Sequence, residues 1–233
     1  MAAAGVLHHR GVIKRLPADQ QHLVLMLALT FSTGVIDAVG YLGLDRVFTG
    51  NMTGNVVILG MALVGADDLP VLGPVLALVG FMAGAALGGR VLRRATPGWS
   101  HRTTTLIGVV GVVMLALGVA LVVEEDLTHG VQLTITTLLG AAMGLQAATA
   151  RFIAVKDVTT VVVTSTLTGL AADSVLGSGK GGGSARRATA VVLILAGAAA
   201  GALLLKWHLG TGLLVAAAIT LLVAALGWST SRR

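Results

Sequence analysis

Residues 48–60 read Phe-Thr-Gly-Asn-Met-Thr-Gly-Asn-Val-Val-Ile-Leu-Gly, and this stretch decides the fold. It is too polar and too rich in glycine for an ordinary membrane helix, yet long apolar runs surround it. A degenerate copy follows 111 residues later, counted from Thr49 to Thr160. In this copy Thr49, Thr53, Gly54 and Asn55 are matched by Thr160, Thr164, Ser165 and Thr166. Any architecture has to accommodate two such segments in matching places.

The composition is that of an integral membrane protein. Hydrophobic residues make up 55% of the chain and charged residues only 11%. Several apolar runs reach about 20 residues, the length that spans the ~30 Å hydrocarbon core of a bilayer. The basic residues lie between these runs, where they set orientation, so we expect no nucleic-acid partner. Cysteine is absent, which excludes disulfides, thiolate metal sites and cysteine nucleophiles.

The apolar pattern predicts six spanning helices and two broken segments. The spanning helices are expected at about 23–42, 71–89, 104–123, 131–150, 188–205 and 212–228, and the broken segments at 48–65 and 158–176. The first run is long for the apolar part of a signal peptide and lacks an Ala-x-Ala-like end, so we interpret it as a retained helix. The predicted divisions are a basic tail at 1–21, membrane repeats at 22–124 and 125–229, and a C-terminus at 230–233.

A second match supports an internal duplication. Ala83-Gly-Ala-Ala-Leu-Gly88 corresponds to Ala196-Gly-Ala-Ala-Ala-Gly201 at a spacing of 113, as between Gly84 and Gly197. Two independent matches at nearly the same spacing indicate duplication.

The basic residues predict how the broken segments lie. If all eight apolar segments crossed the membrane, Lys and Arg would be split evenly between its faces. If each broken segment returns to the face it came from, all but two of the 16 Lys and Arg residues, Arg46 and Lys206, lie on the N-terminal side. Only the second arrangement obeys the positive-inside rule. We therefore expect an all-α protein of the inner (plasma) membrane with both termini in the cytoplasm. Its six transmembrane helices and two re-entrant segments would form two inverted repeats of three spans each.

The broken segments are expected to build a binding site. One half-helix is predicted at about 54–65, capped by Thr53. A second is predicted to end near Asp173, with Thr164 to Thr166 available to cap its start. Helix N-termini near the bilayer centre offer free N–H groups and partial positive charge, which favour a polar or anionic solute. The candidate substrate-binding residues of these segments are Thr49, Asn51, Thr53, Asn55, Thr160, Thr164 and Thr166. The alternative is that these side chains only cap helices and satisfy broken backbone.

Asp37 is the single carboxylate well inside a predicted spanning helix. Because such a residue costs roughly 2.5–3.5 kcal/mol on insertion scales, it is expected to face a cavity or a partner. It could be a proton or cation site, a charge at the entrance, a neutral hydrogen-bonding acid, or a carboxyl bonded to nearby backbone or Thr. Gln146 takes roughly the corresponding place in the second half. Both residues complete the set of candidate substrate-binding residues.

Other motifs narrow the class of function. The pattern Gly80-x-x-x-Gly84-x-x-x-Gly88, with similar glycine pairs at 140 and 144 and at 197 and 201, predicts close helix packing within the chain or, alternatively, in a homodimer. There is no H-E-x-x-H, no G-x-S-x-G and no second carboxylate clearly paired with Asp37. We therefore expect no enzyme activity, no metal ligands and no cofactor.

Four motifs resemble the YoaK-type family of bacterial membrane proteins. They are Gly34-Val-Ile-Asp37-Ala-Val-Gly-Tyr41, residues 48–55, Gly144-Leu-Gln146, and Asp157-Val-Thr-Thr160 continued by residues 164–168. The resemblance covers about residues 23–228, and residues 51–55, Asn-Met-Thr-Gly-Asn, are its most specific part. This chain has Ser165 where the family pattern leads us to expect glycine. The family is one of unknown function, so the resemblance implies membrane class and motif boundaries but no reaction.

These observations lead us to expect a transporter or channel. Its partners would be the lipid bilayer and a small polar or anionic solute, bound at the midplane where the broken segments meet. The alternative is a non-transporting scaffold or sensor subunit that acts through its helix-packing faces.

Overall fold

The computed structural model describes residues 17–124, 127–155, 163–179 and 182–230. Within these ranges the chain forms eight α-helices and no strands. The helices are α1 (Ala18–Gly43), α2 (Met52–Ala62), α3 (Leu72–Leu92), α4 (His101–Val123), α5 (His129–Ile153), α6 (Val163–Ala172), α7 (Ser184–Leu204) and α8 (Leu209–Thr230). Most of the predicted N-terminal tail, the first part of the second broken segment and Thr160 lie outside the described residues.

Six of the described helices are long and apolar enough to cross a membrane, which confirms six long apolar helices where the spans were predicted. The shortest have 21 residues, or about 31 Å at ~1.5 Å per residue. Helices α2 and α6 have only 11 and 10 residues, which gives about 15–17 Å, roughly half the hydrocarbon core. Several helices begin before their predicted starts, α1 at Ala18 and α7 at Ser184, because a polar first turn gives no hydropathy signal.

Glycine allows α3 to pack closely on α5, and α7 on α1. A Cβ atom on Gly84 of α3 would collide with the carbonyl oxygen of Ala141 in α5. A Cβ atom on Gly197 of α7 would collide with the carbonyl oxygen of Phe31 in α1. Backbones approach this closely only where no side chain intervenes. The predicted glycine stripes are therefore used for packing within the chain.

The same two interfaces contain a reciprocal pair of glycine contacts. Gly144 of α5 lies against the carbonyl oxygen of Phe81, and Gly34 of α1 lies against that of Ile194. Positions in α3 and α7 thus correspond at a spacing of 113 (Phe81 to Ile194), and positions in α1 and α5 at 110 (Gly34 to Gly144). The buried positions of α1 from residue 25 to 40 recur at this second spacing in α5, from 135 to 150. The first helices of the two halves are therefore buried in the same pattern.

The hydrophobic core lies where α1, α4, α5 and α8 meet. Its fully buried side chains include Ile36, Met114, Leu139, Met143 and Leu213. The opposite faces of several helices expose large apolar side chains, among them Val79, Met82, Val112, Leu195 and Leu222. Soluble proteins rarely leave so many large apolar side chains in contact with water. This surface fits a hydrocarbon environment.

Candidate functional site at the start of two short helices

Asp37 holds the chain between α1 and α2 in an extended path. Its Oδ1 atom accepts hydrogen bonds from the backbone N–H groups of Thr49 (3.1 Å), Gly50 (2.7 Å) and Asn51 (3.3 Å). Backbone that is not helical must find such partners when lipid and protein exclude water. The predicted alternative of a carboxyl bonded to nearby backbone is thus confirmed.

Gly50 allows this segment to lie against α1. A Cβ atom on Gly50 would come within 3.1 Å of side-chain carbons of Thr33 and Met143 and within 3.4 Å of the Asp37 carboxylate. These contacts are tight, so a larger residue would push the segment away from Asp37. Glycine is therefore suited to the position between the two bonded neighbours, Thr49 and Asn51.

Two asparagines shape the start of α2. Asn51 is the N-cap, because its Oδ1 atom accepts a hydrogen bond from the N–H of Gly54 at 3.2 Å. The prediction that Thr53 caps a helix beginning near Gly54 was wrong, since α2 begins at Met52. Asn55 is fully buried; its side chain accepts from the N–H of Phe48 (2.9 Å) and donates to the carbonyl oxygen of Phe48 (2.6 Å). It pairs with the extended segment as a neighbouring strand would.

Helix α6 is held at its C-terminal end by Arg187 of α7. The Arg187 Nη1 atom donates to the carbonyl oxygen of Gly169 at 2.8 Å and to the carboxylate of Asp173 at 2.6 Å. A cation at a helix C-terminus is favourable because the last carbonyl groups carry partial negative charge. Thr164 and Thr166 lie inside α6, one and three positions after its first described residue, Val163. The prediction that residues 164–166 cap this helix was therefore wrong, because the helix already includes them.

The starts of α2 and α6 line one cavity of about 560 Å³. Its wall combines residues of α1, of the extended segment and α2, and of α6 and α7. The lining residues are Thr33, Asp37, Tyr41, Phe48, Asn51, Thr53, Gly54, Val57, Ile58, Val163, Thr164 and Ile194. Both halves of the chain therefore contribute to the site.

The cavity includes only some of the predicted site residues. Asp37, Asn51, Thr53 and Thr164 line it, and the last three are exposed enough for a solute to reach them. The residues that are buried and not part of its wall are Thr49, Asn55, Gln146 and Thr166. Thr160 lies outside the described residues.

Gln146 lies behind the cavity wall and contacts a residue that lines it. Its Nε2 atom donates a hydrogen bond to Oγ1 of Thr33 at 3.2 Å, and Thr33 lines the cavity. The spacing of 110 between α1 and α5 matches Asp37 with Ala147, so Gln146 lies one position from the place that corresponds to Asp37. Neither Oε1 of Gln146 nor Oγ1 of Thr49 has a hydrogen-bond partner among the described residues, although both atoms are buried. Such unsatisfied atoms are uncommon in folded proteins.

Sequence reasoning missed Thr33, Tyr41 and the aromatic partner of Tyr41. Thr33, Asp37 and Tyr41 are four residues apart, a spacing that puts them on one face of a helix, so this signal was present. The ring of Tyr41 stacks on that of Phe48 with centroids 4.8 Å apart. This pair depends on the return of the extended segment to α1, which periodicity does not reveal.

The described wall carries one charged group, the Asp37 carboxylate. Threonine and tyrosine hydroxyls and the Asn51 amide add hydrogen-bonding groups, and Phe48, Val57, Ile58 and Ile194 add apolar surface. Within the described ranges, no three His, Asp or Glu side chains come together in a way that could hold a metal ion. The arrangement suits reversible binding of a small molecule with both polar and apolar parts.

Comparison with known proteins places the chain among transmembrane proteins. The UPF0700 transmembrane protein YoaK of Bacillus subtilis (strain 168) is 27% identical over 150 residues, which are 64% of this chain and 65% of the relative. The match therefore spans just under two thirds of the length of that relative. No solved structure matches the chain. The sequence model of the family described as "Protein of unknown function (DUF1275)" matches residues 25–226, nearly the whole chain, and the chain belongs to this family.

Proposed function

We propose that this protein is a transporter or channel for a small polar solute, which binds in the cavity between the starts of α2 and α6. The observation that carries the proposal is that two helices too short to span a bilayer, one from each half, line the same cavity. Its volume of about 560 Å³ lies within the ~300–1,000 Å³ typical of small-molecule sites. Polar groups placed within a membrane cost free energy, so a cavity that keeps them there is expected to have a function.

The proposal includes an inverted repeat with re-entrant α2 and α6. The reciprocal glycine contacts support two equivalent halves, and an odd number of spans in each half would invert the second relative to the first. The distribution of Lys and Arg supports cytoplasmic termini in a bacterial inner membrane. Helix α2 would then enter from outside and α6 from the cytoplasm, so that their N-termini approach the midplane. This is the plan by which secondary transporters form their sites.

The protein would act without covalent chemistry. A nucleophile needs a base within hydrogen-bond reach. Asp37 and Tyr41 are the ionisable side chains of the described wall, and the hydrogen bonds of Asp37 go to backbone N–H groups. Binding and release are the functions that this set of groups supports.

The alternative of a scaffold or sensor subunit relied on free glycine faces. Gly84, Gly144, Gly197 and Gly201 all meet backbone atoms of the same chain. These faces are therefore occupied before any partner arrives, which favours the transporter or channel.

The test is flux through the reconstituted protein. Thr164→Trp would fill the cavity, and Ser165→Trp is the matched control, since Ser165 is also exposed on α6 but is not part of the wall. We expect Thr164→Trp to lower solute flux at least roughly tenfold and the control to leave it unchanged. The panel would comprise inorganic ions, amino acids, amines, nucleobases and organic acids. Absence of both flux and ligand-dependent thermal stabilisation across this panel would overturn the proposal.

A further inference from the structure

The Asp37 carboxylate has no counter-ion in the described part of the chain. No described Lys, Arg or His side chain forms an ion pair with it, and its hydrogen bonds come from three backbone N–H groups. These N–H groups are dipoles, so they stabilise the carboxylate without cancelling its formal charge. An ionisable residue inside a membrane protein is normally paired with another charge or faces an aqueous pathway. Asp37 lines the cavity, so the cavity is where a pairing charge could reach it.

One oxygen of this carboxylate is available to a ligand. All three N–H groups donate to Oδ1, and no described residue donates a hydrogen bond to Oδ2. Asp37 lines the cavity and is partly exposed to it. A ligand that donates hydrogen bonds and carries positive charge would supply both the donor to Oδ2 and the counter-charge of the carboxylate.

Aromatic rings lie beside the same carboxylate. Tyr41 is one helical turn from Asp37 on the same face of α1, and its ring stacks on Phe48 with centroids 4.8 Å apart. Both rings line the cavity. Faces of aromatic rings attract cations, most strongly where water is excluded. A carboxylate and an aromatic pair together favour an ammonium group and disfavour an anion.

We infer that the solute is a small organic cation, a protonated amine whose ammonium group binds Oδ2 of Asp37 beside the rings of Tyr41 and Phe48. This inference rests on the proposed function and specifies its substrate class. The cavity is much larger than a bare metal ion, and its apolar wall from Val57, Ile58 and Ile194 fits the carbon skeleton of an amine. The hydroxyl of Thr53 or Thr164 is available to a second polar group.

Three probes of nearly equal size separate the charge classes: ethanolamine, ethylene glycol and glycolate. Binding is measured by thermal stabilisation of the purified full-length protein, and uptake is measured in proteoliposomes with methylammonium and 1,4-diaminobutane as further amines. We expect stabilisation and uptake with the amines and neither with ethylene glycol or glycolate. Sodium and potassium chloride serve as tests for a bare-ion site.

The substitution Asp37→Asn keeps an oxygen that can accept the backbone N–H bonds but removes the charge. We expect amine affinity to fall roughly tenfold or more in this variant. Asp67→Asn is the matched control, because Asp67 is exposed outside the cavity at φ 53°, a conformation that Asn tolerates. This control should leave amine affinity unchanged.

Each outcome decides the inference. Binding of glycolate, ethylene glycol or sodium without binding of amines would overturn the amine assignment and leave the proposed transport function standing. Equal amine affinity in wild type and in Asp37→Asn would also overturn it. If neither these probes nor the broader panel produced binding or flux, both proposals would fail together.

Discussion

At the scale of single residues, Asp37 has one structural task and one proposed binding task, which depend on different oxygen atoms. Oδ1 accepts three backbone N–H bonds that fix the extended segment before α2, and the same carboxylate forms part of the cavity wall. A buried polar group that loses its partner costs about 1–3 kcal/mol. Substitutions at Asp37 should therefore separate the structural task from the binding task.

Asp37→Leu should destabilise the protein by at least about 2 kcal/mol, because three backbone N–H groups lose their acceptor together. Asp37→Asn is the matched comparison, since it keeps an acceptor, and it should cost less than half as much. The measurement is the unfolding free energy of the purified proteins in detergent. Equal stabilities of the two variants would show that these N–H bonds do not hold the segment.

Asn55 should matter more for folding than Asn51. Replacing Asn55 by Leu leaves both the N–H and the carbonyl of Phe48 without their partner, for an expected loss of about 2–4 kcal/mol. Asn51→Ser keeps an N-cap acceptor and should change stability by less than about 0.5 kcal/mol. Thermal unfolding of both variants provides the measurement. Comparable losses in the two would contradict the different roles assigned to these asparagines.

At the scale of elements, four long helices form two pairs that use glycine in the same way. Gly84 and Gly144 join α3 to α5, and Gly197 and Gly34 join α7 to α1, each against a carbonyl oxygen of the facing helix. Because lipid is as apolar as the helix surfaces, close van der Waals packing contributes much of the association of helices in membranes. These glycines should therefore be sensitive even to one added methyl group.

Gly84→Ala and Gly197→Ala should each destabilise the protein by about 1–3 kcal/mol, because the added Cβ atom forces the helices apart. Gly89→Ala in α3 is the control, since nothing lies within 4 Å of an added Cβ there. It should be neutral or stabilise by up to about 1 kcal/mol through helix propensity. Detergent-induced unfolding of the three variants tests this. A Gly89→Ala loss as large as that of Gly84→Ala would refute the packing explanation.

At the scale of the whole molecule, the orientation of the short helices determines whether a solute can cross. If α2 and α6 enter from opposite faces, the cavity between their N-termini is reached from one side at a time when the halves move relative to each other. If both ran through the bilayer, the loops after α2, α3, α4 and α5 would each lie on the opposite face. The position of these loops is therefore the decisive property of the topology.

Single cysteines can report this topology because the chain has none of its own. We expect a cysteine at Asp68 to react with an impermeant thiol reagent in intact cells, and cysteines at Thr96 and Ser178 to react only after permeabilisation. All three positions are exposed. Thr96 is used in the loop before α4 because the side chain of Ser100, in the same loop, caps α4, and its replacement would disturb that helix. Labelling of Thr96 from outside would restore a topology in which the short segments span.

Much of this organisation was predictable because its signals are local. Apolar runs of about 20 residues revealed six long helices, and repeated strings such as those around Gly84 and Gly197 revealed two related halves. The pattern of residues 51–55 identified the family. The exact start of α2 was predicted wrongly, because a helix cap depends on the rotamer of one side chain.

The sequence by itself determined the membrane class, the number of long apolar helices and the polar segments that interrupt them, since hydropathy and glycine content act over neighbouring residues. Only the tertiary structure decided how each polar side chain is used. The side chain of Asn55 is hydrogen-bonded to the backbone of Phe48, whereas Asn51, Thr53 and Thr164 line the cavity. The physical reason is that buried backbone must find hydrogen-bond partners first. Which side chains remain for a solute depends on how distant segments fold back onto α1.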